Sequence, residues 1–261
     1  MEDYLAVAVK AAQEGGQALI KHWGKLKNVR EKSSPGDLVT EADNESEERI
    51  IAFLQKNCPG HSILSEETGS LRVAKAEYEW VIDPLDGTTN YTHQFPVSAV
   101  SVGLLYRGIP VVGVVYNPMQ QEMFQAAKGQ GATLNGKKIV VSEVKEISAS
   151  LLATGFAYDR REVADNNFAE FSHLTLMSHG VRRLGAASLD LAYVASGRLD
   201  GYWERGLKPW DIVAGIVLVQ EAGGKISAYD EKPIDLYSGR ILATNGIIHQ
   251  SMSEELMKLK K

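Results

Sequence analysis

Cysteine is nearly absent: Cys58 is the single one in 261 residues. No intrachain disulfide can form, and a zinc site built on several thiolates is excluded. Cys58 precedes the turn pair Pro59-Gly60 and reads as a small packing residue. No stretch approaches the roughly 20 uninterrupted apolar residues of a membrane span, so no membrane association is expected. The start, Met1-Glu2-Asp3-Tyr4, lacks the basic residues and apolar run of a secretory leader, and the cytoplasm is the expected compartment. Positive charge is not in excess either. The 28 Lys and Arg stand against 33 Asp and Glu, a net charge of −5. Direct nucleic-acid binding needs a basic footprint and is not expected. The six histidines (His22, His61, His93, His173, His179, His249) show no paired ligand spacing and read as structural. No repeat or low-complexity segment is visible.

What remains is ordinary globular material, 44% hydrophobic and 23% charged, enough to bury a sizeable core. The length fits one large domain, with a soft boundary between halves of roughly 1–147 and 148–261. Leu5, Val9, Ala12, Gly16, Leu19, Ile20 and Trp23 recur at helical spacing and predict an amphipathic helix over 3–23. Residues 25–40 read as a loop closed by Thr40 or its neighbour as an N-cap. A helix over 41–57 follows, and most of its early acids (Glu41, Asp43, Glu45, Glu47, Glu48) read as a solvated face near the positive end of the dipole. A short strand at 61–65 precedes Glu66-Glu67. Runs at 97–106, 109–117 and 121–126 predict an antiparallel meander, with Gly129-Gln130-Gly131 and Asn135-Gly136 marking tight hairpins. The second half alternates. Strands are expected at 151–154, 181–184, 201–204, around Ile226 and at 241–244; helices at 162–178, 186–196, 210–222 and from 247. The pattern is α/β with short connections.

The chain is organised around Trp80-Val81-Ile82-Asp83-Pro84-Leu85-Asp86-Gly87-Thr88-Thr89-Asn90. Trp80 to Ile82 read as the end of a buried strand, which Pro84 should prevent from simply continuing. Gly87 to Thr89 read as a turn into a short helix whose first amides are free. Two carboxylates facing such amides offer places for divalent cations beside a place for a phosphate. Taken alone, the string reads equally well as an Asx-type turn. Glu66 and the Trp210-Asp211 pair also fall at element ends; alone, each reads as a surface or helix-start acid. If they converge with Asp83 and Asp86, an all-oxygen site for a hard ion such as Mg²⁺ results. Four such carboxylates repel one another unless cations are present.

These strings resemble the inositol monophosphatase family. The likeness rests on Asp83 to Asn90, on the preceding Glu66-Glu67, and on Trp210-Asp211-Ile212-Val213-Ala214-Gly215. Lys32-Ser33-Ser34-Pro35, Asp37 to Thr40 with Asp43, and Gly185-Ala186-Ala187 fall in related segments, so it spans essentially the whole chain. Trp203 to Asp211 is most similar to bacterial members. The resemblance implies a layered α/β/α/β/α sandwich and a homodimer. It implies two to three Mg²⁺ held by Glu66, Asp83, the Leu85 carbonyl, Asp86 and Asp211, with Glu66, Asp86 and Thr88 as catalytic residues. The Gly87 and Thr88 amides would take the phosphate, and Asp43 would stand behind them in the same network. Asp86, Gly185, Ala186, Ala187 and Glu204 would contact the alcohol; Ala186 stands where many members carry a hydroxyl, so no polar side-chain contact is expected there. Lys32 falls in a loop that lies near the metals in the family, and Arg182 and Arg183 carry no assigned role.

The chemistry implied is hydrolysis of a phosphate monoester by metal-activated water, without a covalent phospho-enzyme. The expected substrate is myo-inositol 1-phosphate, with inhibition by Li⁺. Fructose 1,6-bisphosphate, histidinol phosphate and 3′-phosphoadenosine 5′-phosphate are the alternatives; a carboxylate at Glu204 favours a polyol over the two bisphosphates. Some bacterial members also bind transcription machinery in ribosomal RNA antitermination, which is the reading of a different class.

Overall fold

The computed structural model describes residues 2–32 and 34–259. Met1, and Ser33 of the Lys32–Pro35 segment, lie outside the described residues. Helix α1 (Glu2–His22) leads into a short hairpin, β1 (Val29–Glu31) and β2 (Leu38–Thr40), where a loop over 25–40 was expected. Strands of three residues that carry Arg30 and Glu31 give no alternation to detect. Thr40 then caps α2 (Glu41–Asn57). Its hydroxyl accepts from the Ala42 amide, and Asp43 Oδ2 accepts from the Thr40 amide at 2.8 Å, a closed capping box. Only part of the acidic run on α2 is solvated: Asp43 and Glu47 are buried. They lie one turn apart, on the face that packs inward.

The larger sheet comprises β3 (Ser62–Ser65), β4 (Gly69–Leu71), β5 (Tyr78–Asp86), then, after the short helix α3 (Thr88–Thr92), β6 (Ala99–Tyr106), β7 (Ile109–Asn117), β8 (Glu122–Ala127), β9 (Ala132–Leu134) and β10 (Lys137–Ile139). Its order is β10-β9-β8-β7-β6-β5-β3-β4, antiparallel throughout except for the parallel pair β3 and β5. Asn135 and Gly136, both at positive φ, make the β9–β10 turn as their dipeptide predicts. Strand β5 does not stop at Pro84. The register shifts there, from Asp83 opposite Ser101 to Asp86 opposite Ala99, so a bulge absorbs the missing amide and the strand continues to Asp86.

The smaller sheet takes β11 (Leu151–Thr154). It continues, after α4 (Phe168–Met177), with β12 (Gly180–Arg182); after α5 (Ala187–Ala195), with β13 (Gly201–Arg205); and after α6 (Pro209–Glu221), with β14 (Lys225–Ser227) and β15 (Arg240–Thr244). Helix α7 (His249–Lys258) follows. The order is β12-β11-β13-β15-β14, with β11 parallel to β12 and β13, and β15 antiparallel to its neighbours. Helix α4 begins six residues later than the expected 162. Asn167 stands at φ 72°, outside the helical region, and buried bonds hold it there. Its amide donates to Thr154 Oγ1 and the Gly155 carbonyl, both at 2.7 Å, while its oxygen accepts from the Trp203 indole.

Period-two alternation sorts the core into layers. Trp80 and Ile82 face α1 and α2, whereas Val81 faces the other way, toward α5 and α6. Tyr202, Ile241 and Ala243 close that central layer from the smaller sheet. Trp203 and Leu242 point outward to Leu174 of α4 and to Met252 and Leu256 of α7. The result is the α/β/α/β/α stack. Helix α6 lies very close to the larger sheet because Gly103 and Gly113 face each other across β6 and β7. A Cβ on Gly113 would stand 2.2 Å from the Ala214 carbonyl oxygen. This contact sets the depth of α6, and with it the place of Asp211 in its first turn.

Candidate active site

A cavity of about 650 Å³ opens where the ends of β3, β5 and β13 meet the starts of α3, α5 and α6. Glu66, Asp83, Leu85, Asp86, Gly87, Thr88, Gly185, Ala186, Ala187, Glu204 and Asp211 all line it. Of the site residues expected from sequence, Asp43 alone stands behind the wall. It is buried and takes the Thr40 hydroxyl at 2.6 Å. The Thr88 hydroxyl lies 3.1 Å from Asp43 Oδ1 and 3.0 Å from the Leu85 carbonyl, and its single proton can serve one acceptor at a time.

Different elements place the acids. The bulge in β5 brings Asp83 and Asp86 onto one wall, and Asp83 Oδ1 accepts from the Leu85 amide at 2.9 Å. Asp86 Oδ2 accepts from the Ser188 amide and hydroxyl, at 2.7 and 2.5 Å, which ties it to α5. Asp211 Oδ2 accepts from the Lys208 amide at 2.7 Å, the bond that starts α6. Gly87 sits at φ 86° between Asp86 and α3, and a Cβ there would meet the Val97 carbonyl at 2.9 Å, so only glycine makes this turn. Glu204, buried, accepts from the Tyr202 hydroxyl at 2.6 Å. Arg205, the next residue in the chain, pairs with Asp159.

Burial and mutual repulsion dominate the electrostatics. Burial, with the charges of Glu66, Asp86 and Asp211, holds Asp83 well above the carboxylate range. Burial, then Asp86 and Glu66, does the same to Asp211. Burial also raises Glu66 and Asp86, against the opposing pull of Lys32 on the one and Ser188 on the other. Asp43 and Glu204 are each pushed up to about 7, in both cases chiefly by burial. Lys32 answers part of this charge. Its ammonium lies 2.7 Å from Glu66 Oε1 and also contacts Glu67, and these carboxylates outweigh burial in raising its pKa.

An all-oxygen set of acids that repel one another is the donor chemistry of a hard cation. Among the described residues, no three Asp, Glu, His or Cys side chains are already drawn together as an ion cage. Glu66, Asp83, Asp86 and Asp211 share one cavity wall, and Lys32 supplies the positive charge beside them. Their donor set fits such an ion.

Several residues at the site were not singled out by sequence reasoning. Ser188 orients Asp86; Glu47 holds the turn after β3; Tyr158, Arg160 and His93 line the cavity. Asp190, one turn into α5, is buried near Glu204 and Asp86. For Glu47 the available signal was spacing, one turn after Asp43 on the same face of α2; the bond between Asp86 and Ser188 joins residues distant in the chain and had no local signal. Arg183 lines the cavity, whereas Arg182 does not.

The fold and acid-lined cavity define a class, a layered α/β protein with carboxylates gathered where strand ends meet helix starts. The model of the inositol monophosphatase family matches residues 1–260. The chain is 54% identical over 256 residues to a protein named inositol-1-monophosphatase from Synechocystis sp., covering 98% of this chain and 89% of that one. It is 43% identical to the Pseudomonas aeruginosa protein named Nus factor SuhB, over 94% of this chain and 92% of the other. The solved structure of inositol monophosphatase from Anabaena (Nostoc) sp. superposes with a TM-score of 0.91 at 52% identity, covering 98% and 96% of the two chains. The chain belongs to the inositol monophosphatase family, and it is an enzyme of the phosphatase class. Among the described residues, no helix is long and apolar enough to cross a membrane.

Proposed function

We propose that this chain hydrolyses the phosphate monoester of a polyol, with myo-inositol 1-phosphate as substrate and Mg²⁺ as the metal. The observation that carries the reading is the convergence of Glu66, Asp83, Asp86 and Asp211, from three separate elements, on the wall of one cavity, with Asp83 and Asp86 buried. In this reading Glu66, Asp83, the Leu85 carbonyl, Asp86 and Asp211 hold two to three ions. When bound, Mg²⁺ supplies an acidified water and compensates phosphoryl charge. The chain's own residues do the rest. Gly87 and Thr88 hold the phosphate at the cavity wall. Thr88 Oγ1 takes a proton from the attacking water as it passes its own to Asp43 Oδ1, a carboxylate whose raised pKa suits it to accept one near neutrality. Glu204 accepts hydrogen bonds from the polyol hydroxyls, with Gly185, Ala186 and Ala187 as the adjoining wall.

Phosphate release from inositol 1-phosphate, fructose 1,6-bisphosphate and 3′-phosphoadenosine 5′-phosphate, with Mg²⁺, EDTA or added Li⁺, tests this. Mg²⁺-dependent, Li⁺-inhibited turnover of inositol 1-phosphate is expected, and Asp86→Asn and Asp211→Asn should each lower kcat at least a hundredfold while leaving the fold intact. Near-normal turnover by either variant at saturating Mg²⁺ would remove the assignment; preference for a bisphosphate would remove only the role of Glu204. A homodimer belongs to the same proposal and would be contradicted by a single-chain mass in light scattering. The 43% identity to a protein named Nus factor favours a second reading, association with transcription machinery. Capture of RNA polymerase with its elongation factors, undiminished by Asp211→Asn, is the result that reading requires.

A further inference from the structure

One acid on α2 has no place in that scheme, yet four donors converge on it. Glu47 Oε1 accepts from the Ser65 hydroxyl and from the Glu67 and Thr68 amides, the last two both at 3.1 Å. Its Oε2 accepts from the Thr68 hydroxyl at 2.5 Å. Glu47 is 4% exposed and Ser65 is fully buried. Among the described residues, no lysine, arginine or histidine forms an ion pair with Glu47; its charge is met by these hydrogen bonds. The four donors come from the residues flanking Glu66 on both sides. Glu66 itself is fixed to the sheet by one bond, its amide to the Ile82 carbonyl at 3.2 Å. Without Glu47, the β3–β4 connection would present two orphaned amides and two orphaned hydroxyls, and the backbone of Glu66 would be held from the β5 side alone.

Burying a carboxylate without a cationic partner is costly unless several charge-assisted bonds meet it. A neutral side chain could cap a turn at lower cost. A carboxylate gains from gathering several donors at once, and its negative charge acts on the neighbouring Glu67. We propose that Glu47 is a positioning residue, whose carboxylate clamps the Ser65–Thr68 turn and thereby aims the Glu66 side chain at the cation site. This rests on the proposed metal centre. It assigns Glu47 no contact with substrate or ion.

The test is Mn²⁺ binding to the full chain, read by electron paramagnetic resonance, with thermal melting in EDTA alongside. Glu47→Ala should weaken Mn²⁺ binding at least tenfold, the range usual when a group orienting a metal ligand is lost. Glu47→Gln keeps the shape and one strong acceptor, so it should recover part of that loss. Thr68→Val, which removes one of the four bonds, should weaken binding a few-fold. A merely structural Glu47 would lower the melting temperature in EDTA and leave the Mn²⁺ dissociation constant of the folded protein within twofold of wild type; that result overturns the proposal. If Glu47→Ala does not fold, wild-type affinity in both Glu47→Gln and Thr68→Val overturns it equally. Asp83→Asn separates the two readings. If the wild type binds no Mn²⁺, or Asp83→Asn binds it undiminished, the metal centre itself is wrong and the role of Glu47 falls with it.

Discussion

Glu204 occupies space that only a glycine at 155 leaves open: a Cβ there would stand 2.0 Å from its Oε2. Packed in this way, with one bond from Tyr202, the carboxyl titrates near 7 rather than near 4.5, and burial is the main cause. The unfolded chain loses this proton near 4.5 while the folded chain keeps it to about 7, so the folded state holds more protons between those values. Its contribution to stability is therefore fully present below pH 4.5 and lost as pH rises through 7. Replacing it by an uncharged isostere removes that slope. Glu204→Gln should match the wild type in urea melts near pH 5 and exceed it at pH 8 by on the order of 2–3 kcal/mol. The same variant should raise KM for inositol 1-phosphate more than it lowers kcat. Equal pH slopes in the two proteins would show that Glu204 does not carry a proton into the neutral range.

At the scale of elements, the site depends on how deeply α6 lies against the larger sheet. Gly113 lets the Ala214 backbone approach, and Val213 packs on Gly103 in the same way. Gly113→Ala should force α6 outward, costing about 1–3 kcal/mol as overpacking does, and should displace Asp211 enough to weaken divalent-ion binding. A urea midpoint and ion affinity both at wild-type values would refute that coupling. Much of this level was legible in the chain. Thr40 announced a capped helix, Asn135-Gly136 announced its hairpin, and the acidic string around Pro84 marked the site. The legible features are local, carried by dihedral preferences and short-range hydrogen bonds. The features that were not legible depend on distant partners. Asn167 blocks the start of α4 because Trp203, Thr154 and Gly155 hold it in a left-handed conformation. The β5 bulge past Pro84 needs β6 beside it. Glu47 looks like the solvated acids around it until the inner face of α2 is known.

At the scale of the molecule, the cavity is a seam. Glu66, Asp83 and Asp86 come from the larger sheet, Asp211 from the central helix layer and Glu204 from the smaller sheet. The bonds from Ser188 to Asp86 join the β5 wall to α5 across it. Repulsion among acids contributed from different layers works against closing this seam, and Lys32 offsets part of it at Glu66 and Glu67. A divalent ion bound there should therefore stabilise the whole fold rather than one loop. By mass action a single site filled at a hundred times its dissociation constant contributes about 2.7 kcal/mol. In a chain of this size that corresponds to a rise in Tm of about 5–10 °C. Scanning calorimetry of the EDTA-treated chain against Mg²⁺ concentration should show that rise in one cooperative transition, and Asp211→Asn should largely abolish it. A Tm independent of Mg²⁺ in the wild type would mean that the carboxylates do not form an ion site. A shift confined to a minor, early transition would mean that the ion orders a local segment, leaving the layers to hold together through their apolar faces alone.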